Sequence, residues 1–568
     1  MYPSPPFRLL PALLAAGLLS GSSLTPPAPA QDDVQTGGDA ADPFVADAAK
    51  LIPADAGVVV RIADPDAAMM NLTAFVRTAA PQHANKMLMA RGLLGTVVKN
   101  PTMSGVNLKT PWYIVGVPQE GLPPATVFLM PAANVQAMQE AVGPGMAFKT
   151  IGTYAAYTDA GEEVLEGFGE GGAFVDSLPA GSQEIAKNHD ITLAINVPRL
   201  MEVYGEVLKA GVEQAKQQSA QRAGGPDAAA SQGRAIDAMM TLFEKSGSTV
   251  VGFKATPDAL SFKKTATFDP SSDIAAALKG QTTAGFDALD KLPEALDGYI
   301  ALEGNFKPLL TLLQGVLDEE EAEAGQDLIS GLIDAGLKAT AGGFVVGPSD
   351  APLAGVQVSA MQDVAAAKPA VEQYLTAANG MERNGVQTVI EDAGTVDVGG
   401  ITMRKIVTDL EVVERSSEAE QAVRAYRMIF GESGQTQMIG YTEASVIQIT
   451  GGGEEFAEEA IAHLGGQSGH TNEPLDALRE KLPKRGNIFA AIDLASVVQS
   501  GLAIAVEKGA FPPFFEPEQI RSVAIESSYA AVVVRVEGDA VIAEGVLPAA
   551  QVRNLVDFAE ALQGAQEF

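Results

Sequence analysis

Short segments with alternating apolar and polar residues predict β-strands that follow each other through tight turns. Residues 249–255 and 260–268 form one such pair, joined by Thr256-Pro257-Asp258-Ala259. Pro-Asp at this position is typical of a tight turn, so the two strands are predicted to be antiparallel. Similar pairs are residues 112–117 with 126–130 and residues 529–536 with 541–547. The pattern predicts an α+β protein with a mainly antiparallel or mixed sheet, one face of which is covered by amphipathic helices.

The longest helical pattern covers residues 198–222 and ends at Gly224-Gly225-Pro226. A second helical pattern follows at residues 229–244, which predicts a long helical hairpin standing off the sheet. Its tip, residues 217–232, is small and polar and is expected to be mobile. The apolar stripe of the first helix consists of Leu200, Val203, Tyr204, Val207, Leu208 and Val212.

Five elements of the first half recur in the second half in the same order. The matched segments are residues 53–62 with 293–302, 113–130 with 344–360, 154–163 with 445–455, 178–197 with 482–492, and 260–268 with 540–547. Strand–proline–helix transitions are common singly, but five in the same order rarely arise by chance. The sequence therefore predicts two duplicated modules, residues 46–283 and 284–565, each with its own mainly antiparallel or mixed sheet covered by amphipathic helices and each large enough for its own core.

The first thirty residues have the pattern of a signal peptide. Arg8 is the only charge, and the apolar run at residues 9–19 is too short to span a bilayer. Ala28-Pro29-Ala30 offers a cleavage site after Ala30, which would leave a flexible leader at residues 31–45. An uncleaved anchor is the alternative, because Pro11 weakens both interpretations. No later apolar run is long enough to cross a membrane, so no integral membrane segment is expected after cleavage.

Composition narrows the possible functions of this chain of 568 residues. The 46% hydrophobic content is that of a folded protein, although 38 Lys+Arg against 71 Asp+Glu give a net charge of −33. Such an acidic chain is not expected to bind nucleic acid or an anionic membrane. It has no cysteine, which excludes disulfides, thiolate metal sites and a cysteine nucleophile. Export without cysteine favours a bacterial envelope, so we expect a secreted or periplasmic protein.

Several low-specificity patterns occur in both predicted modules. Leu178-Pro179 and Leu482-Pro483 each precede an apolar strand, and a tyrosine-rich strand at residues 154–157 leads into Gly161-Glu162-Glu163. With its alanine- and glycine-rich acidic modules, the chain resembles secreted planctomycete-type and related bacterial envelope proteins of an uncharacterised domain family. The resemblance covers nearly the whole chain after the signal peptide. It implies no activity and no catalytic residue.

One glycine-rich turn invites comparison with a phosphate-binding loop. Gly451-Gly452-Gly453 lies between a predicted strand and a predicted helix, where backbone N–H groups attract anions. Glu454 and Glu455 follow in the first helical turn, where they would complement the helix dipole and repel a phosphate. The sequence therefore favours helix capping at this turn. Gly167-Phe168-Gly169-Glu170-Gly171-Gly172 is interpreted as a plain loop.

The remaining candidate sites are weak. Asp64-Pro65-Asp66 is predicted to cap a helix, and the acidic run from Asp318 to Glu323 is predicted to be solvated rather than to bind calcium.

Ser468 between His463 and His470 lacks the Gly-x-Ser-x-Gly elbow of hydrolases. Ser261 and Lys264 have a catalytic spacing but would point to opposite faces of a strand. Trp112 is predicted to anchor the core, and the segment Ala510-Phe511-Pro512-Pro513-Phe514-Phe515 either caps the core or forms an exposed contact patch.

The sequence thus assigns no catalytic, cofactor-binding or metal-binding residue, and no cofactor is expected. The leading hypothesis is an exported, non-enzymatic protein that acts in binding or in envelope organisation. One alternative is a carrier that holds a lipid or other apolar ligand between sheet and helices. Another is a hydrolase on an unrecognised scaffold. A protein or an apolar ligand is the expected kind of partner.

Overall fold

The computed structural model describes residues 48–87, 90–170, 174–222, 226–308, 319–347, 352–383, 385–465, 472–509 and 516–565. Its strands are β1 (Val58–Ile62), β2 (Trp112–Gln119), β3 (Leu122–Pro131), β4 (Ala147–Ile151), β5 (Tyr154–Thr158), β6 (Ile191–Asn196), β7 (Ser246–Ala255), β8 (Ala259–Phe268), β9 (Gly298–Glu303), β10 (Leu337–Val346), β11 (Leu353–Met361), β12 (Glu382–Arg383), β13 (Val386–Val398), β14 (Ile401–Val412), β15 (Gln435–Tyr441), β16 (Ser445–Thr450), β17 (Ile488–Ile492), β18 (Ala530–Glu537) and β19 (Ala540–Pro548).

Helices connect many of these strands. They are α1 (Pro65–Ala79), α2 (Ala84–Met87), α3 (Ala90–Val97), α4 (Val135–Val142), α5 (Ser182–Asn188), α6 (Val197–Arg222), α7 (Pro226–Lys245), α8 (Asp273–Leu278), α9 (Glu319–Asp334), α10 (Val364–Ala378), α11 (Ser417–Phe430), α12 (Gly453–Leu464), α13 (Glu473–Arg479), α14 (Leu494–Glu507), α15 (Pro517–Arg521) and α16 (Ala549–Ala565). Within the described ranges, no helix combines the length and the hydropathy that crossing a membrane requires.

All described strands belong to one antiparallel sheet, which confirms an α+β fold. Their spatial order is β4-β5-β3-β2-β1-β6-β7-β8-β19-β18-β17-β9-β10-β11-β16-β15-β14-β13-β12. The prediction of a separate sheet for each module is wrong. The reason is the ladder between β8 and β19, which runs from Ala259↔Pro548 to Thr267↔Ala540 and joins the two halves edge to edge.

The β8–β19 ladder is the seam between the two halves of the chain. The order of strands is the same on both sides of this seam. Moving outward from β8, the order is β7, β6, β1, β2, β3, β5, β4; moving outward from β19, it is β18, β17, β9, β10, β11, β16, β15. The second half then continues with β14, β13 and β12, which are inserted in sequence between α10 and β15. Among the described strands, β4 is therefore the outermost on one side and β12, paired with β13, is the outermost on the other.

Both faces of the sheet are covered, which corrects the prediction of helices on one face only. In the first half, Tyr113 packs into a core beneath α5, while its neighbour Trp112 packs on the opposite face beside Met138 of α4. In the second half, Phe489 and Leu475 belong to a core on the first of these faces. Alternation of side chains along each strand produces these two layers.

The helical hairpin is present as α6 and α7, but its apolar stripe is only partly buried. The hydroxyl of Tyr204 accepts a hydrogen bond from the backbone N–H of Gln119 at 2.9 Å, which ties the base of α6 to β2. Further along α6, Val207 is 69% exposed and Leu208 is also exposed. Part of the stripe beyond Tyr204 is therefore exposed on the surface of α6.

Candidate binding cleft beside the seam

An open cleft of about 740 Å³ lies where three distant segments meet. The segments are the end of β18, the connection between the two halves, and the loop before β17. The lining residues are Gln281, Thr282, Thr283, Pro483, Lys484, Arg485, Arg535, Val536 and Glu537. The cleft therefore contains three cationic side chains in a chain whose net charge is −33.

Local structure holds two of these cations in place. Arg485 Nη2 donates to the backbone oxygen of Thr283 at 2.5 Å, which fastens the β17 loop to the connection between halves. Arg535 lies on β18, and its Nε donates to Glu537 Oε1 at 2.6 Å while its Nη1 donates to Glu544 Oε1 at 2.5 Å. Burial of Arg535 opposes its charge, but the hydrogen bonds with Glu537 and Glu544 keep its pKa above the usual value.

The positive side chains continue from the cleft to the seam. Lys263 on β8 is paired directly with Glu544 on β19, and its Nζ lies 3.3 Å from Glu544 Oε1. Glu544 is thus shared between Arg535 and Lys263, both of which are only partly exposed. Lys484 and Arg485 are exposed at the mouth of the cleft.

This arrangement can bind an anionic group. Guanidinium and ammonium groups donate several hydrogen bonds to carboxylate or phosphate oxygens, and charge-assisted bonds are stronger than neutral ones. Glu537 is an exposed carboxylate at the end of β18, so a ligand anion could replace it beside Arg535. In the part of the chain described, no three His, Asp or Glu side chains are grouped as a metal site.

The glycine-rich turn lies at the start of a helix, as predicted. Gly451, Gly452 and Gly453 all have left-handed φ angles of 64–72°, and α12 begins at Gly453. Glu454 and Glu455 occupy the first turn of α12, where their negative charges complement the helix dipole.

Other sequence candidates also have structural roles. Asp64 caps α1 by accepting the N–H of Ala67 at 2.9 Å, with Pro65 at the first helical position, which confirms that prediction. Ser261 and Lys264 alternate to opposite faces of β8, as expected, and burial lowers the pKa of Lys264.

Several candidates fall wholly or partly outside the described residues. His463 lies in the last turn of α12, but Ser468 and His470 are outside the described ranges. Asp318 and the segment 510–515 are also outside them, and α9 begins at Glu319. The described part of the loop 167–172, up to Glu170, is not helical, as predicted.

Trp112 is a core residue, as predicted. Its side chain has no solvent exposure, and its indole Nε1 donates to the backbone oxygen of Asn107 at 3.0 Å. The same face carries Phe128 and Tyr157, whose ring centroids are 5.4 Å apart. Trp112 therefore stabilises the first half and is not part of a ligand surface.

The cleft is not evident from the sequence. Lys484 and Arg485 are adjacent in an acidic chain, and this pair was a usable signal. Arg535, however, is far from that pair in sequence, and only the pairing of β17 with β18 brings the segments together.

Two buried carboxylates in the second half could suggest catalysis but are structural. Asp297, 8% exposed, accepts the N–H of Val346 at 2.7 Å and the hydroxyl of Ser496 at 2.5 Å. Asp493 caps α14 through the N–H of Ser496 at 3.1 Å and accepts the N–H of Ser528 at 3.0 Å. Together they tie the start of α14 to β9, β10 and β18. Burial raises the pKa of Asp297 above its ordinary value.

Asp297→Asn is expected to change the pH dependence of stability. The pKa of Asp297 is higher in the folded protein than in the unfolded chain, so its carboxyl group stabilises the fold fully below the pKa of the unfolded state. This stabilisation is lost as the pH rises through the pKa of the folded state. The amide can still accept the N–H of Val346 but does not ionise. Urea unfolding across the acidic range should show wild type losing stability relative to Asp297→Asn as pH increases. Parallel curves would contradict the raised pKa.

Comparison with known proteins gives no functional assignment. No family model matches the chain, and no curated protein matches it. Two solved structures, crystal forms III and IV of TP0453, each align with 47% of this chain at 11% identity and a TM-score of 0.22. The alignments cover 97% and 96% of those chains, respectively.

Proposed function

We propose that the chain is an exported, non-enzymatic binding protein that recognises an anionic group in the cleft at the end of β18. The observation that carries the proposal is the convergence of Lys484, Arg485 and Arg535 on one open cleft of an otherwise acidic protein. Long-range repulsion from a net negative charge disfavours polyanions, so a small carboxylate or phosphate is the preferred ligand class. The three cationic side chains that line the cleft support this ligand over the apolar cargo of the alternative hypothesis.

A ligand panel tests the proposal. The purified chain is titrated with citrate, inorganic phosphate, glucose and palmitate, and binding is measured by calorimetry at two ionic strengths. We expect citrate and phosphate to bind, more weakly at high salt, and to protect the amides of residues 281–283 and 535–537 from hydrogen exchange. Binding of palmitate alone would favour an apolar carrier, and catalytic turnover of a supplied substrate would contradict a non-enzymatic role.

Removing charge from the cleft should weaken anion binding. In the double variant Lys484→Gln, Arg485→Gln, loss of two charge-assisted contacts is expected to raise the Kd of the anion by about tenfold or more. The control is Lys86→Gln, Lys508→Gln, which removes the same charge from exposed positions that do not line the cleft. Equal weakening in both variants would show that net charge, rather than the cleft, governs binding.

We further propose that the two halves are duplicated modules of the uncharacterised envelope family that the sequence resembles. The matching order of strands on the two sides of the β8–β19 ladder supports this.

A further inference from the structure

We propose that the outer edge of β4 is a second interaction site, where an extended, basic segment of a partner protein adds as an antiparallel strand. The site is independent of the anion cleft. Strand addition satisfies unpaired main-chain groups of an edge strand, and side chains of the added segment provide specificity.

The geometry of the β4–β5 hairpin leaves main-chain groups facing outward. The two-residue turn Gly152-Thr153, with Gly152 at φ 60°, makes Ile151 and Tyr154 a hydrogen-bonded pair. Hydrogen-bonded and non-hydrogen-bonded pairs alternate along an antiparallel ladder, so the N–H and C=O groups of Phe148 and Thr150 point away from β5. Within the described ranges, β4 pairs with no strand other than β5.

The second half shows how such an edge is covered. The hairpin β15–β16 occupies the same place in the strand order as β4–β5, and β16 pairs with β11 as β5 pairs with β3. The outer edge of β15 pairs antiparallel with β14, from Met403↔Gly440 to Thr408↔Gln435. In the first half, the corresponding connection between α4 and β4 is only residues 143–146 and contains no such strand. β14 is therefore a template for the missing strand.

The template also indicates the charge of the partner. Arg404 of β14 forms ion pairs with Glu372 of α10 and with Asp392 of β13. Helix α4 follows β3 as α10 follows β11, and it carries the exposed Glu140 about one turn earlier along the helix than Glu372. Exposed Glu166 and Glu170 lie near Lys149 on the other face of the sheet, where Lys149 Nζ bonds the backbone oxygen of Glu166 at 3.0 Å. These exposed carboxylates favour a basic partner segment.

Two other occupants fit less well. Antiparallel self-pairing of two β4 strands centred on Lys149 would place like charges opposite each other. The chain at Leu51 lies at the Ile151 end of β4, because the N–H of Gly169 bonds the oxygen of Leu51 at 2.9 Å and Gly169 packs on Ile151. If the chain that precedes Ala48 followed the edge of β4 and continued directly into Ala48, it would therefore run parallel to β4. Every described pair of strands is antiparallel, so this occupant fits less well.

A synthetic peptide with the sequence of residues 401–408, ITMRKIVT, is a suitable probe because it contains the part of β14 that pairs with β15 and carries two basic and no acidic side chains. We expect calorimetric titration into the full chain to show binding, with hydrogen-exchange protection of the Phe148 and Thr150 amides. Thr150→Pro removes an outward N–H at an edge position, where proline is tolerated, and should weaken binding at least tenfold. Thr150→Val keeps the N–H and should bind as wild type does. Circular dichroism checks that both variants are folded.

The role of charge is tested by measuring how the Glu140→Lys variant binds two peptides. One is the native peptide, and the other carries Arg404→Glu. Glu140→Lys should weaken the native peptide severalfold and strengthen the charge-reversed one. The proposal is overturned if the peptide does not bind, if it protects β15 instead of β4, or if Thr150→Pro binds as tightly as Thr150→Val. It is also overturned if binding appears only after deletion of residues 31–47, or if Thr150→Pro dissociates an oligomer of the chain alone.

Discussion

Phe489→Ala is expected to lower the free energy of unfolding by about 3–5 kcal/mol. Phe489 is 1% exposed on β17, a strand with β9 and β18 on its two sides. Its ring centroid lies 5.8 Å from that of Phe286, and both residues belong to the largest described core of the second half. Truncation removes the apolar contacts and leaves a cavity that close-packed neighbours can fill only in part.

The matched control for Phe489→Ala is Val498→Ala on α14, because Val498 is 45% exposed. It should cost less than about 1 kcal/mol. Both variants are measured by urea unfolding, followed by circular dichroism and by the fluorescence of Trp112, the single tryptophan, which lies in the first half. A loss below 1 kcal/mol for Phe489→Ala would contradict the packing of this core. A change at Trp112 that coincides with the loss of helix would indicate that the shared sheet unfolds as one unit.

The local parts of the fold were predictable because short-range patterns determine them. The turn at residues 256–259 connects β7 and β8 as antiparallel neighbours, and α6 with α7 forms the expected hairpin. Glu454 and Glu455 identify the start of α12 through their interaction with the helix dipole. In each case, the residues that determine the element lie within or beside it in sequence.

The seam was not predictable, because nothing in the alternation of β8 or β19 distinguishes an edge strand from a central one. Lys263 and Glu544 have polar side chains, which are typical of an exposed strand, yet they face each other in a continuous ladder. The two halves of the chain could lie side by side or apart, and their arrangement depends on this long-range pairing. The cleft has the same origin, since it requires residues 281–283, 483–485 and 535–537 to converge.

The apolar stripe of α6 shows the same limit on a smaller scale. Helical periodicity correctly identifies one apolar face, but it does not reveal how far the supporting sheet extends. Tyr204 lies where β2 still supports the helix, whereas Val207 lies beyond that contact. An apolar pattern therefore predicts the orientation of a helix more reliably than the burial of each residue in it.

Gly451→Ala is expected to destabilise the protein by roughly 2–5 kcal/mol, although the side chain added is a single methyl group. Gly451 has φ 64°, a conformation that costs a residue with a Cβ about 1–2 kcal/mol. A Cβ at this position would also lie 2.3 Å from the backbone oxygen of Leu353. Leu353 begins β11, a central strand paired with β10 and β16, so this oxygen has little freedom to move.

Gly453→Ala separates the two contributions to this loss. Gly453 has φ 72° in the same turn, but a Cβ there would meet no atom within 4 Å, so only the conformational cost of about 1–2 kcal/mol is expected. Urea unfolding of both variants should therefore rank Gly451→Ala clearly below Gly453→Ala in stability. If the turn instead held a phosphate, both glycines would be needed to bring the backbone close to it. Both variants would then bind phosphate more weakly, and their free energies of unfolding would be similar. Equal stability of the two variants would therefore contradict the structural role, because the clash with Leu353 is what distinguishes them.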